Sequence, residues 1–265
     1  MSNHVVIDIG NTRIKVGCFL DGHMQEVRSF FPKQNFHEEL ASFLTQKKAD
    51  SILLSSVNSF YETQVRKILS DHHLPYHTIE NTQLKLQLDV EEPDELGQDR
   101  IANAYGALTR FPLQDCIVVD IGTTITFDYI VKEGKYLGGA IYTGMEIASK
   151  GLAEYTDQLP FTAVSRPDSA LGKTTNSQIS SGIYYGHLGA IERVLFELKQ
   201  TSASPSSVHV VATGGATQTD DENACVGKVE FIHDLKDLVD SIDPHLTLMG
   251  LQEILNEIIS KQKEK

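Results

Sequence analysis

The sequence predicts an α/β protein made of two related halves. The first observation behind this is a strand–turn–strand pattern that occurs twice. Val6-Ile7-Asp8-Ile9-Gly10-Asn11-Thr12-Arg13-Ile14-Lys15 opens the chain, and Val118-Val119-Asp120-Ile121-Gly122-Thr123-Thr124-Ile125 opens its second half. Asp8, Ile9, Gly10 and Thr12 align with Asp120, Ile121, Gly122 and Thr124 at a constant offset of 112 positions. One such turn would read equally well as an ordinary hairpin; two at half-chain spacing indicate an internal duplication. The second observation is that short β-branched runs alternate with segments whose apolar residues recur at helical spacing. The third is length: 265 residues accommodate two domains of ordinary size. The expected domains are 1–114 and 115–265.

Taken in order, residues 4–20 read as a hairpin and 25–31 as a third strand, closed by Pro32. Phe36, Leu40, Phe43 and Leu44 predict a helix over 35–48. Ser51–Val57 reads as a short apolar strand, and Asn58-Ser59 as the cap of a helix over 59–70. His72, His73 and His77 cluster beyond it in a polar connection with no acids at ligand spacing. Thr78–Val90 is strand-like. A helix follows over 101–108, entered through Glu95-Leu96-Gly97-Gln98-Asp99-Arg100.

The second half repeats the scheme. A strand from Ile117, a return through Tyr129-Ile130-Val131 and a third strand from Lys135 make another meander. Gly138-Gly139-Ala140-Ile141 leads through Thr143-Gly144 to a helix over 145–153. A polar loop, Gly172-Lys173-Thr174-Thr175, precedes a long helix over 177–199. Its small residues, Ser180, Ser181, Gly182, Gly186 and Gly189, suit close packing either within the domain or against a second subunit. Val208–Ala212 reads as a strand ending in Thr213-Gly214-Gly215, where the glycines serve a simple turn or the close approach of a flat ligand. Residues 219–226 read as an acidic loop, Val229–Ile232 as a short strand, and the residues from Leu246 to Ile259 as a helix.

Composition narrows the function. Thirty-six acids against 23 Lys and Arg give a formal net charge of −13. That is the wrong sign for a nucleic-acid footprint. Cys18, Cys116 and Cys225 stand far apart with no zinc or CxxC spacing, and read as free thiols of a reducing compartment. No apolar run approaches the roughly 18 residues of a membrane span. No leader pattern precedes Asp8, so the expected setting is the cytoplasm.

Two elements carry chemistry. The first turn offers backbone N–H groups, an amide, a hydroxyl and a carboxylate, the parts that hold a nucleotide phosphate and its metal ion. Asp99 and Arg100 place an acid beside a fixed cation at a helix mouth. Capping would explain Asp99. It does not explain an arginine, which is unfavourable at a helix N-terminus, so the pair reads as a site for a small anionic substrate.

Together these elements resemble the acetate and sugar kinase, Hsp70 and actin superfamily, and within it the type III pantothenate kinases. The resemblance is carried by residues 8–15, Leu96-Gly97-Gln98-Asp99-Arg100, residues 119–124, Gly138–Ile141, Gly172–Thr175 and Thr213–Gly215, in that order along the chain. It implies two duplicated RNase H-like domains of the actin-like ATPase and kinase fold, with mixed five-stranded sheets and flanking helices. It implies ATP-dependent phosphorylation of pantothenate to 4'-phosphopantothenate, the first step of coenzyme A synthesis. Asp8, Ile9, Gly10, Asn11, Thr12, Arg13, Ile14 and Lys15 would form the first ATP phosphate loop, with Asp8 directed at Mg2+. Thr123 would contact ATP, and Asp120 would bind a monovalent cation, K+ or NH4+. Gly97, Gln98, Asp99 and Arg100 would hold pantothenate, with Asp99 as the catalytic acid–base residue. Thr175 would complete that pocket from the partner subunit of a homodimer.

Two positions depart from the family pattern. Val90 stands where the family commonly has a tyrosine lining the pantothenate pocket, and Thr143-Gly144 stands for its Pro-Gly. The departures leave two other readings open: a non-catalytic ATP-binding regulator of the same family, and a kinase for another small carboxylate.

Overall fold

The computed structural model describes residues 1–32, 36–79, 84–217 and 228–263. It divides into two compact units, one formed by residues 1–110 with 246–265 and the other by residues 111–245.

In the first unit the chain runs β1 (Asn3–Ile9), β2 (Ile14–Leu20), β3 (His23–Phe30), α1 (Phe36–Lys47), β4 (Ser51–Ser56), α2 (Ser59–Asp71), β5 (His77–Thr78), β6 (Gln87–Leu88) and α3 (Gln98–Arg110). It is completed by the last helix, Leu246–Lys263. The sheet orders β3-β2-β1-β4-β5. The first three strands are antiparallel, while β4 and β5 join parallel to β1. Alternation along β1 and β2 gives the sheet two apolar faces. Val5, Ile7, Ile9, Ile14, Val16 and Cys18 pack with α1 and α2 in one core. On the other face, a Cβ added at Gly17 would touch Leu248 of the last helix at 3.4 Å, and His4 hydrogen-bonds Gln252 there.

The second unit repeats the frame with β7 (Cys116–Ile121), β8 (Thr124–Val131), β9 (Lys135–Thr143), α4 (Met145–Tyr155), α5 (Thr175–Lys199), β10 (His209–Thr213), α6 (Lys228–Leu235) and β11 (Ser241–Ile242). Its own strands order β9-β8-β7-β10-β11, again an antiparallel meander with two parallel strands added beside the first. The duplication read from the two turns is therefore a duplication of sheet topology. The final helix, Leu246–Lys263, is called α7 below.

Three expectations are corrected. The chain after Leu246, grouped by sequence with the second domain, belongs to the first unit, and the division falls at residue 110 rather than 114. Close packing fixes α7 there. A Cβ added at Gly250 would lie 1.7 Å from the Ala102 carbonyl oxygen, and one at Gly106 would lie 2.4 Å from that of Leu246. Thr247 also donates to the buried Asn103 at 2.7 Å. Leu246, Leu248, Leu251, Ile254 and Leu255 are buried. At about 1.5–3 kcal/mol for each fully buried aliphatic chain, α7 contributes on the scale of a domain's whole net stability of about 5–15 kcal/mol.

Val229–Ile232, expected as a strand, lies in α6. Phe231, Ile232 and Leu235 share one buried helical face, a pattern that a four-residue window cannot tell from a strand. Among the described residues of Thr78–Val90, only Thr78 and Gln87–Leu88 are in strands. The backbone N–H of Lys85 is taken by the Tyr105 hydroxyl at 3.1 Å instead of by a ladder. Residues 80–83 and the whole 219–226 loop, Cys225 included, lie outside the described residues. Cys18 and Cys116 are buried free thiols, and burial pushes them up to about 11 and about 12.

Candidate active site

The first loop spans Gly10–Arg13, between β1 and β2. It closes with the Gly10 N–H donating to the Arg13 carbonyl at 3.0 Å. Asp8 is half-buried at the end of β1 and stands opposite Lys15 across the ladder, and Lys15 is only 6% exposed. Burying a lysine is costly unless its charge is compensated, so this pairing of an acid and a base on one face is a built feature. The Arg13 guanidinium rests over the Phe31 ring, 5.6 Å from its centroid.

The same unit brings the Gly97–Arg100 element to this loop's surroundings. Strands β1 and β4 are parallel and end together, with Ile9 level with Ser56. Carboxyl ends of parallel strands are where open α/β sheets bind ligands. The Val57 N–H donates to the Ile9 carbonyl at 3.0 Å, and the Asn58 amide donates to the Asn11 carboxamide at 3.1 Å. The Ser56 N–H donates to Gln98 Oε1 at 2.9 Å, tying the first residue of α3 to the same strand end. Three segments, the first loop, the β4–α2 connection and the mouth of α3, are thus joined by hydrogen bonds. Gln98, expected to touch substrate, gives its side-chain carbonyl oxygen to this scaffold.

Asp99 and Arg100 sit half-buried in the first turn of α3. Asp99 Oδ1 accepts the Arg100 N–H at 2.8 Å. It also fills the space a side chain at 97 would need: a Cβ on Gly97 would come within 2.6 Å of it. Glycine at 97 therefore sets where the Asp99 carboxylate lies.

In the second unit the loop is shorter, Gly122-Thr123, and the Gly122 N–H donates to the Thr124 carbonyl at 2.9 Å. Thr123 is exposed and Asp120 half-buried. Two glycines from elsewhere in the unit press against this turn. A Cβ on Gly144 would fall 2.4 Å from the Thr123 oxygen and 2.5 Å from that of Gly122. A Cβ on Gly214, whose φ is +100°, would fall 2.3 Å from Asp120 Oδ1. The Thr143-Gly144 departure thus retains the glycine that the packing requires. Gly214 gives a role to the Thr-Gly-Gly strand end: without a side chain there, the Asp120 carboxylate has the room it occupies. A carboxylate with backbone carbonyls nearby is an all-oxygen donor set, which suits a hard cation.

Thr175 is the first residue of α5 and exposed. Thr174 caps that helix through a reciprocal pair with Ser177. On α5, Ser180 and Ser181 turn inward and are buried, whereas Gly182, Gly186 and Gly189 face open space. Tyr185 and Phe196 are exposed on the same helix. A cleft of about 390 Å³ lined by Asp115, Lys132, Lys199 and His209 opens at the start of β7 and β10. That is the opposite end of the strands from Asp120 and Thr213.

Sequence reading missed Ser56 and Asn58 as parts of this region. Only the N-cap signal of Asn58 was visible, because its second contact is with a residue 47 positions away. Among the described residues no three His, Cys, Asp or Glu are grouped as a metal cluster.

Comparison with known proteins assigns the family. The family model for type III pantothenate kinase matches residues 4–197. A type III pantothenate kinase 1 of Francisella tularensis subsp. holarctica is 35% identical over 231 residues, covering 80% of this chain and 87% of its own. A type III pantothenate kinase of Cytophaga hutchinsonii is 32% identical, covering 96% and 98%, and one of Dehalococcoides mccartyi is 30% identical, covering 94% and 96%. Among solved structures, a Campylobacter jejuni protein described as a Baf family transcriptional activator superposes with a TM-score of 0.56 at 22% identity. It covers 97% of this chain and 99% of its own and shares the fold. The chain belongs to the type III pantothenate kinases.

Proposed function

We propose that the chain transfers the γ-phosphoryl group of ATP to the hydroxyl of pantothenate, yielding 4'-phosphopantothenate for coenzyme A synthesis. One observation carries the site assignment: a single hydrogen-bonded scaffold in the first unit joins the loop at 10–13 to the Gly97–Arg100 element. Chemistry needs phosphates and acceptor to be held side by side, since phosphoryl transfer depends mainly on positioning and charge neutralisation.

In this reading the Gly10–Arg13 amides and Lys15 bind the ATP phosphates and offset the charge growing on the γ-oxygens. Asp8 would hold Mg2+ and Asp120 the monovalent cation, and the ions would supply further positive charge beside the phosphates. Thr123 hydrogen-bonds ATP from the second loop. Arg100 pairs with the pantothenate carboxylate, and its guanidinium fork suits two parallel hydrogen bonds. Gly97 fixes the Asp99 carboxylate, and Asp99 orients the acceptor hydroxyl and takes its proton as the new P–O bond forms. Thr175 reaches the pocket of a second copy, a role its exposure at the head of α5 supports. The open glycines 182, 186 and 189 suit α5 to a homodimer interface.

The test is pantothenate phosphorylation by the wild type and Asp99→Asn, with a panel of other small hydroxy-carboxylates beside it. The assignment requires pantothenate to be the preferred acceptor and Asp99→Asn to lose turnover. Wild-type turnover by Asp99→Asn would remove the role of Asp99, and preference for another acceptor would remove pantothenate.

A further inference from the structure

The carboxamide of Asn58 lies between two partners of fixed sense. Its Oδ1 accepts the backbone N–H of Tyr61 at 3.1 Å, the N-cap bond of α2. Its Nδ2 donates to Asn11 Oδ1 at 3.1 Å. A backbone N–H can only donate, so the cap dictates which end of the Asn58 amide faces α2. Only a donor is then left for Asn11, and a donor is met by the oxygen end of the Asn11 carboxamide. The end of Asn11 left for a ligand is its nitrogen. The two ends of an amide are almost the same size, so sterics alone would not choose between them. For a phosphate the choice matters, because the nitrogen donates to phosphate oxygens and the oxygen repels them.

The turn carrying Asn58 is itself fixed. Ser56 Oγ accepts the Asn58 N–H at 3.1 Å, and the Ser56 N–H is held by Gln98 at 2.9 Å. We propose that Asn58 is a positioning residue that sets the polarity of Asn11, relaying the direction of the Tyr61 N–H into the first loop so that Asn11 presents a donor to the ATP phosphates. The inference rests on reading residues 10–15 as the phosphate loop. Asn58 itself touches neither substrate.

Two substitutions separate this role from capping. Asn58→Ser keeps a good N-cap but is too short to reach Asn11. Asn58→Asp also keeps the cap, but it can only accept, so it draws the Asn11 nitrogen toward itself and turns the oxygen to the ligand. Both variants should melt with the wild type. KM for ATP should rise by about two- to tenfold in Asn58→Ser, the range for one lost hydrogen bond, and by more in Asn58→Asp. KM for pantothenate should stay unchanged. In an Asn11→Ala background, Asn58→Ser should add nothing further. If Asn11→Ala raises KM for ATP while both Asn58 variants keep the wild-type value, Asn58 is only a cap and the relay is overturned. Additive effects of Asn58→Ser and Asn11→Ala overturn it as well. An Asn11→Ala protein with wild-type KM for ATP overturns the relay together with the phosphate-loop reading beneath it.

Discussion

The two hairpins share a frame and differ in their turns. Each has an aspartate as the next-to-last paired residue of its first strand and closes with a glycine N–H, Gly10 to Arg13 and Gly122 to Thr124. The first turn has four residues between its strands and includes Arg13, while the second has two and no cation. Asp8 stands opposite Lys15, whereas Asp120 stands opposite Thr126, with the fully buried Asp128 two residues further along that strand. An acid opposite a lysine leaves little net negative charge at the loop, which suits an anion. An acid opposite a neutral hydroxyl, with a second carboxylate behind it, suits a cation. The two strand–turn–strand units are scaffolds of one shape, and the residues across each ladder leave a different charge beside each turn.

The largest effect belongs to the helix mouth that the first unit ties to its own turn. Asp99→Asn should lower kcat by about 10²–10⁴-fold, the usual contribution of a positioned acid–base group, with the melting temperature retained. Equal kcat in the two proteins would detach α3 from the chemistry. The comparison is broken more directly at the two aspartates. Asp120→Asn should abolish stimulation by K+ or NH4+, whereas Asp8→Asn should raise the Mg2+ concentration needed for half-maximal rate and leave the monovalent response in place. Titrating both ions against both variants checks this, and interchanged phenotypes would reverse the assignment.

Next come the glycines. Gly10 has only the Arg13 oxygen at 3.3 Å from an added Cβ, so Gly10→Ala should cost under about 1 kcal/mol. Gly144→Ala and Gly214→Ala drive a methyl into the second turn and should cost about 1–3 kcal/mol or more, seen as lower denaturant midpoints.

The smallest effect is a pH slope in the first unit. Burial pushes the His4 pKa below its ordinary 6.5, and Gln252 Nε2 donates to its Nδ1. Because the folded pKa is the lower one, the unfolded chain binds the proton first as pH falls. Stability is full above about 6.5 and is lost as pH drops toward the folded value. His4→Asn, which keeps an acceptor without a titrating group, should flatten the dependence of melting temperature on pH in that window.

The sequence made most of this frame legible. The Asp-x-Gly-x-Thr repeat predicted both hairpins, helical spacing placed α1, α2, α4, α5 and α7, and Asn58 announced its cap. It did not show where α7 packs, because nothing local links Gly250 to Ala102 across nearly 150 positions. It misread Val229–Ile232, since four apolar residues satisfy either period. Among site residues, Gly97, Asp99 and Arg100 were readable as a motif. The bond from Ser56 to Gln98 and that from Asn58 to Asn11 were not, because each joins residues more than 40 positions apart.

The most direct test is pantothenate-dependent ADP release by the wild type and Asp120→Asn, each with and without K+. The site assignment requires wild-type release to depend on both pantothenate and the ion, and Asp120→Asn to be unresponsive to the ion. ATP turnover indifferent to pantothenate, or an undiminished K+ response in Asp120→Asn, would contradict it.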